Sequence, residues 1–85
     1  MKDLAIYINL SILLLNKDRA DEALKYLDKC VARDPQYADA YYYRGRARLQ
    51  TKDFAAAKAD LLKFVELKPD APEVAAARAM LGELK

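Results

Sequence analysis

The sequence predicts an all-α fold: an α-α superhelix of stacked hairpins, with five helices packed antiparallel. Three observations predict it. The chain repeats itself at a spacing of 34 residues, with Tyr7 recurring as Tyr41, Ala23 as Ala57 and Pro35 as Pro69. Only two glycines and three prolines occur, against a background of Ala, Leu, Lys, Asp and Glu, which favour helix. No stretch alternates apolar and polar residues as a half-buried strand would. A fixed period in this range marks supersecondary units that bury a core only by stacking on one another. The 85 residues allow one small domain, 1–85, whose core is marginal by surface-to-volume scaling.

The first helix is expected over about Leu4 to Leu15, with Lys17-Asp18-Arg19 turning the chain. The second runs from about Ala20 to Arg33 and places Ala23, Leu24, Leu27, Cys30 and Val31 on one face. Asp34-Pro35 stops it, because proline disfavours helix in the residue before it. The third runs from about Ala38 to Gln50. Tyr41-Tyr42-Tyr43 has strand propensity, but helical anchors flank it on both sides. Lys52-Asp53 makes the next turn. The fourth spans about Phe54 to Leu67, with Ala57, Leu61, Phe64 and Val65 inward. The fifth is expected from near Pro72 to about Leu84, capped near Asp70 or Ala71, since proline suits a first helical turn. Its apolar face is Val74, Ala77, Leu81 and Leu84, with Glu73, Arg78, Glu83 and Lys85 opposite. Connections of about two to four residues make consecutive helices antiparallel.

Composition excludes several function classes. The net charge of +2 is small and evenly spread, with no basic run and no aromatic strip for stacking bases, so nucleic acid is not an expected partner. Histidine is absent and there is one cysteine, so no zinc site, disulfide or Cys/His nucleophile can be assembled. No phosphate loop or nucleophile–base pair is present, and neither catalysis nor a metal or cofactor is expected. Asp18, Asp21 and Glu22 cluster on a turn and helix start, where they read as capping and macrodipole charges. Met1-Lys2 before the apolar stretch Leu4–Leu15 resembles a leader, but Asp3 and Asn9 interrupt it and it is too short to span a bilayer. No membrane partner is expected, and the chain as given is read as cytoplasmic.

Two copies of one pattern stand in register. Residues 4–37 carry Tyr7-x2-Leu10-Ser11-x2-Leu14, then Ala23-x3-Leu27, then Pro35. Residues 38–71 carry Tyr41-x2-Arg44-Gly45-x2-Arg48, then Ala57-x3-Leu61, then Pro69. This resembles the tetratricopeptide repeat family, a 34-residue helix–turn–helix unit. Residues 72–85 resemble the helix that closes such arrays. The resemblance implies that Ser11, Gly45, Ala23 and Ala57 sit where paired helices approach closely. Cys30, matched by Phe64, reads as a buried small hydrophobe. Leu10 and Tyr26 of the first unit become Arg44 and Asp60 in the second, so an Arg44–Asp60 ion pair is expected. Arg48 stands where an aromatic is usual and shows no clear partner.

The resemblance further implies a binding role, with a protein or peptide as partner, on the concave face lined by the first helix of each unit. Carried over by position, that face comprises Ala5, Ile8, Asn9, Ile12, Leu15 and Asn16 from the first unit. The second gives Asp39, Tyr42, Tyr43, Arg46, Leu49 and Gln50, and the last helix gives Glu73, Ala76, Ala77 and Met80. Ile8, Ile12, Leu15, Tyr42, Tyr43, Leu49 and Met80 are expected to have no core to enter, which would make the face an apolar interface. Tyr beside Arg at Tyr42, Tyr43 and Arg46 is hot-spot chemistry. Some family members bind acidic chaperone tails with Lys, Asn and Arg at positions that here hold Ile8, Ile12, Tyr43, Glu73 and Ala77, which argues against a carboxylate clamp. The expected ligand is therefore apolar or amphipathic. The first helix is apolar almost all round, so either a preceding unit covers it or the chain forms a homodimer through it.

Overall fold

A computed structural model of the chain describes residues 4–84. The leader-like start at Met1 and the expected charge at Lys85 lie outside the described residues. Five helices follow one another: α1 Leu4–Asn16, α2 Ala20–Arg33, α3 Ala38–Gln50, α4 Phe54–Leu67 and α5 Val74–Glu83. Each packs on the next, and α1 also touches α3, so α1, α3 and α5 form one row and α2 and α4 the other. The array is a slab measuring 37 × 27 × 19 Å. Among the described residues, no helix is long and apolar enough to cross a membrane.

The 34-residue period is written into the backbone hydrogen bonds. Asp18 N–H donates to Leu15 O at 3.1 Å, and Lys52 N–H donates to Leu49 O at 3.1 Å. Arg19 N–H reaches Leu14 O at 2.8 Å, as Asp53 N–H reaches Arg48 O at 2.8 Å. Asp34 N–H reaches Cys30 O at 2.9 Å, as Lys68 N–H reaches Phe64 O at 2.9 Å. Both hairpin turns use one residue of positive φ, Asp18 at 60° and Lys52 at 64°. That conformation reverses the chain in a short loop at the cost of crowding a Cβ.

The prolines work as their positions suggest. Asp34, ahead of Pro35, adopts φ −143° and ψ 91°, an extended conformation that closes α2. Its carboxylate accepts a bond from Gln36 N–H at 3.1 Å, and Tyr41 Oη donates to the Pro35 carbonyl at 2.8 Å, holding this turn against α3. The last connection differs from expectation. It covers residues 68–73, and Pro72 lies in a turn before α5 rather than in its first helical turn. Val74 N–H bonds to Ala71 O, a tight i→i+3 turn, and the first α-helical bond of this end runs from Ala77 N–H to Glu73 O. The N-cap is Glu73, not Asp70 or Ala71, and it makes no side-chain capping bond. Nor do Asp18, Asp21 and Glu22 cap α2. Its N-cap is Arg19, which bridges the exposed Glu22 at 2.7 Å, while Asp21 and Glu22 occupy the first turn.

Two packed clusters run through the slab. The first joins Ile8, Leu15, Ala20, Ala23, Leu27 and Cys30 to Ala40 and Ala47 of α3. The second joins Ala38, Tyr41 and Tyr42 to Leu61, Phe64, Val74 and Ala77. Val31 and Tyr43 touch both, so the two units share a continuous interior. Small residues set the helix spacing. A Cβ added at Gly45 would lie 2.9 Å from Leu61 Cδ2 and 3.4 Å from Ala57 O, so only hydrogen fits there. Ser11, the matching residue of α1, is fully buried and turns its hydroxyl back to the Tyr7 carbonyl at 2.8 Å. Cys30 is fully buried, with its thiol 3.8 Å from Leu4 O and its pKa raised by burial.

Candidate functional site: the inner helical row

The row α1–α3–α5 presents one broad face to solvent, and the expected binding residues divide there into two groups. Ile8, Leu15 and Tyr42 do not belong to a free surface. They are 6%, 3% and 8% exposed, and their assignment to an open groove is corrected. The physical reason is that a first helix packs not only on its hairpin partner but also on the next helix of its row. Ile8 and Leu15 lie in one cluster with Ala40 and Ala47 of α3, and the Tyr42 ring packs on Phe64 at 5.0 Å between centroids. Ala77 of α5, assigned to the same face, is fully buried in the second cluster.

The remaining positions reach solvent. Asn9, Asn16 and Gln50 are exposed, and Ile12, Asp39, Tyr43, Arg46, Leu49 and Met80 are half-buried. Gln50 is partly committed, because its Nε2 donates to the Leu15 carbonyl at 3.0 Å and so satisfies the C-terminal end of α1. Tyr43 is the centre of the face. Its ring meets Tyr42 edge-on at 5.0 Å, and the Arg46 guanidinium lies 5.6 Å from its centroid and 5.9 Å from that of Tyr42. Burial pushes the Tyr43 phenol above its ordinary pKa. Tyr42, Glu73 and Asp39 push the same way, while Arg46 pulls it down. One aromatic ring thus gathers a cation and two carboxylates from α3 and from the turn before α5.

Behind this face lies a charged cluster inside the second hairpin. Arg44 Nε donates to Asp60 Oδ2 and its Nη2 to Asp60 Oδ1, both at 3.0 Å. Arg48 Nη1 donates to the same Asp60 Oδ2 at 3.0 Å, so Arg48 has the partner that sequence reasoning did not find. Arg44 also reaches Asp28 of α2 at 3.1 Å, tying the two units together. Burial lowers the proton affinity of Arg44, but its bonds to Asp60 and Asp28 outweigh that and leave its pKa raised. A signal for the whole cluster was present. Arg44, Arg48 and Asp60 all align with apolar or aromatic residues, Leu10, Leu14 and Tyr26, and Asp28 aligns with Leu62. The cluster is closed on itself and offers no group for chemistry.

Two depressions lie beside the turns that join the helices. One, about 830 Å³, is lined by 18–22 and 49–52, and the other, about 590 Å³, by Asp39 and residues 67–73. Of the expected binding residues they include Asp39, Leu49, Gln50 and Glu73.

Comparisons with known proteins agree with this architecture. The chain is 36% identical over 64 residues to aryl-hydrocarbon-interacting protein-like 1 of Saimiri boliviensis boliviensis, covering 75% of this chain and 17% of that protein. The same-named protein of Bos taurus matches at 36% over 64 residues, covering 75% and 20%. Peptidyl-prolyl cis-trans isomerase CYP7 of Saccharomyces cerevisiae matches at 38% over 71 residues, covering 76% and 18%. The chain spans a fifth or less of the length of these relatives. A family model described as tetratricopeptide repeat matches residues 10–82, from the middle of α1 to nearly the end of α5. The all-helical array, its 34-residue register and this match together place the chain in the tetratricopeptide repeat family of protein–protein interaction modules.

Proposed function

We propose that this chain is a non-catalytic binding module, with complete units over 4–37 and 38–71 and a closing helix within 72–85. It takes an apolar or amphipathic peptide segment across the solvent-facing side of α1, α3 and α5. The observation that carries the reading is Tyr43. Its half-buried ring lies 5.6 Å from the Arg46 guanidinium, so it offers rigid apolar area beside a cation, and its hydroxyl also feels the charges of Glu73 and Asp39. Ile12 and Met80 extend that area along the row, and Asn9 and Asn16 supply amides that can pair with a peptide backbone. An acidic tail does not suit it. Asp39 and Glu73 repel a carboxylate, and Arg46 already faces two rings.

The test is selection from a displayed library of amphipathic helical and extended peptides, followed by titration of the best binders against variants. Arg46→Glu and Tyr43→Ala are each expected to weaken binding at least about 30-fold, the scale of a hot-spot residue. Tyr43 touches both clusters, so Arg46→Glu, at a half-exposed position, separates lost contact from lost fold. Binders that tolerate both substitutions would show that the ligand sits elsewhere.

A further inference from the structure

The charges that the fold takes partly out of water are answered, with one exception among the described residues. Glu22 meets Arg19, Lys63 meets Glu66, Asp60 meets Arg44 and Arg48, and Arg46 lies by two tyrosine rings. Asp39 is the exception. It is half-buried, and neither an ion pair nor a hydrogen bond reaches its carboxylate. The aligned amides of the first turn of α3 favour an anion there but give it no bond. Asp39 therefore loses hydration that no internal partner replaces.

Asp39 lines the depression of about 590 Å³ between the start of α3 and the connection to α5. Asp70 and Glu73 line it too, both exposed, and Glu73 makes no capping bond at the start of α5. Lys68, the one cation of the lining, pairs with none of the three. Leu67, Ala71 and Pro72 add apolar wall. Carboxylates beside apolar wall suit the long apolar stem and charged head of a lysine or arginine. The three carboxylates do not come together as a metal-binding group, so a bare ion is a poorer fit. The depression adjoins the peptide face. Asp39 and Tyr43 are i and i+4 on α3, and the charges of Asp39 and Glu73 reach the Tyr43 hydroxyl. Building on the peptide-binding reading above, we propose that the bound segment carries a lysine or arginine next to its apolar contact residue, and that this cation enters the depression and pairs with Asp39 and Glu73. The cation then lies at the start of α3, and the apolar part of the segment lies on Tyr43. Charge complementarity at this end fixes which way the segment runs.

The probes are the peptides selected on this face, each made again with its lysines and arginines replaced by glutamine. Binding is titrated at about 50 mM and about 500 mM salt. The selected peptides should share a basic residue at a constant distance from the apolar anchor, and its removal should weaken binding at least about tenfold. Asp39→Asn with Glu73→Gln should weaken binding by a similar factor and remove most of its salt dependence. The glutamine peptides should bind this variant and the wild type within about twofold, because the two changes delete one interaction. Both substitutions are nearly isosteric at side chains without an internal bond, so the helical melt should be kept. Should it be lost, Glu73→Lys at its exposed position decides, by recovering binding towards a peptide whose cation is replaced by glutamate. Selected peptides that need Tyr43 and Arg46 but carry no basic residue would overturn the proposal and leave the peptide face standing. So would peptides indifferent to Asp39→Asn with Glu73→Gln. Peptides that tolerate Tyr43→Ala and Arg46→Glu would remove the face and the proposal with it.

Discussion

Asp60 holds three charged hydrogen bonds at 3.0 Å while its side chain is only 5% exposed, which makes Asp60→Ala the sharpest probe of the second hairpin. Removing the carboxylate leaves two guanidinium groups to find other partners. Arg44 keeps Asp28 at 3.1 Å, and the Arg44 and Arg48 side chains are 16% and 25% exposed, so part of their hydration returns. Breaking a buried pair from one side costs about 3–5 kcal/mol, and this partial solvent access sets the expectation at the lower end, about 3 kcal/mol. In a domain of this size that is about 12–24 °C in Tm. The first unit supplies the control, since it fills the same three positions with Leu10, Leu14 and Tyr26. The triple change Arg44→Leu, Arg48→Leu, Asp60→Tyr transplants that set, and Tyr41 stands ready for the new ring as Tyr7 stands 5.8 Å from Tyr26. Asp28 is 58% exposed and rehydrates without a partner. The triple variant is expected to lose less than about 1.5 kcal/mol, half the cost of the single change, because no charge is left buried. Urea and thermal unfolding followed by circular dichroism measure both. A single change costing under about 1 kcal/mol, or a triple change costing more than the single, would refute the reasoning.

Gly45→Ala should lower stability by about 1–2 kcal/mol, as the forced shift of Leu61 outweighs the helix propensity gained, while Gly82→Ala, whose Cβ meets nothing within 4 Å, should raise it by about 0.5–1 kcal/mol. Paired thermal melts check both, and equal effects would show that packing at Gly45 is not limiting. Cys30, fully buried with its thiol pKa raised, should react with a thiol reagent at about pH 8 at least about 1,000-fold slower than an unfolded control. A fast stoichiometric reaction would mean that α1 and α2 separate readily. Because folding raises the Tyr43 pKa, the native state holds this proton more tightly than the unfolded chain does. Its contribution is complete below the ordinary phenol pKa and is lost as pH climbs through the raised value. Tm between about pH 9 and 11.5 should therefore fall more steeply in the wild type than in Tyr43→Phe.

How much of this was legible in the sequence depended on what kind of signal carried it. The bounds of α2, α3 and α4 could be read to the residue because Pro35 and Pro69 follow α2 and α4, and the turns before α2 and α4 repeat at the same register. The start of α5 could not, because Pro72 is compatible both with a first helical turn and with the tight turn it occupies. The burial of Ala23, Leu27, Ala57, Leu61 and Phe64 followed from one-sided periodicity. Ile8, Leu15 and Tyr42 were misjudged because alignment to a single unit shows each helix its hairpin partner but not the next helix of its own row. Arg48 was missed for a different reason. Charges were matched one to one, whereas a carboxylate has lone pairs enough for two arginines.

The same counting of neighbours explains where this chain has surface left to use. α3 meets α1, α2 and α4, and its buried residues include Ala38, Ala40, Gly45 and Ala47 beside Tyr41 and Tyr42, small side chains that let neighbouring helices approach. Few of its side chains therefore reach solvent, Tyr43 and Arg46 among them. α1 lacks one such neighbour, and there the residues change from Ala40 and Ala47 to Ile6 and Leu13, and from Arg44 to Leu10.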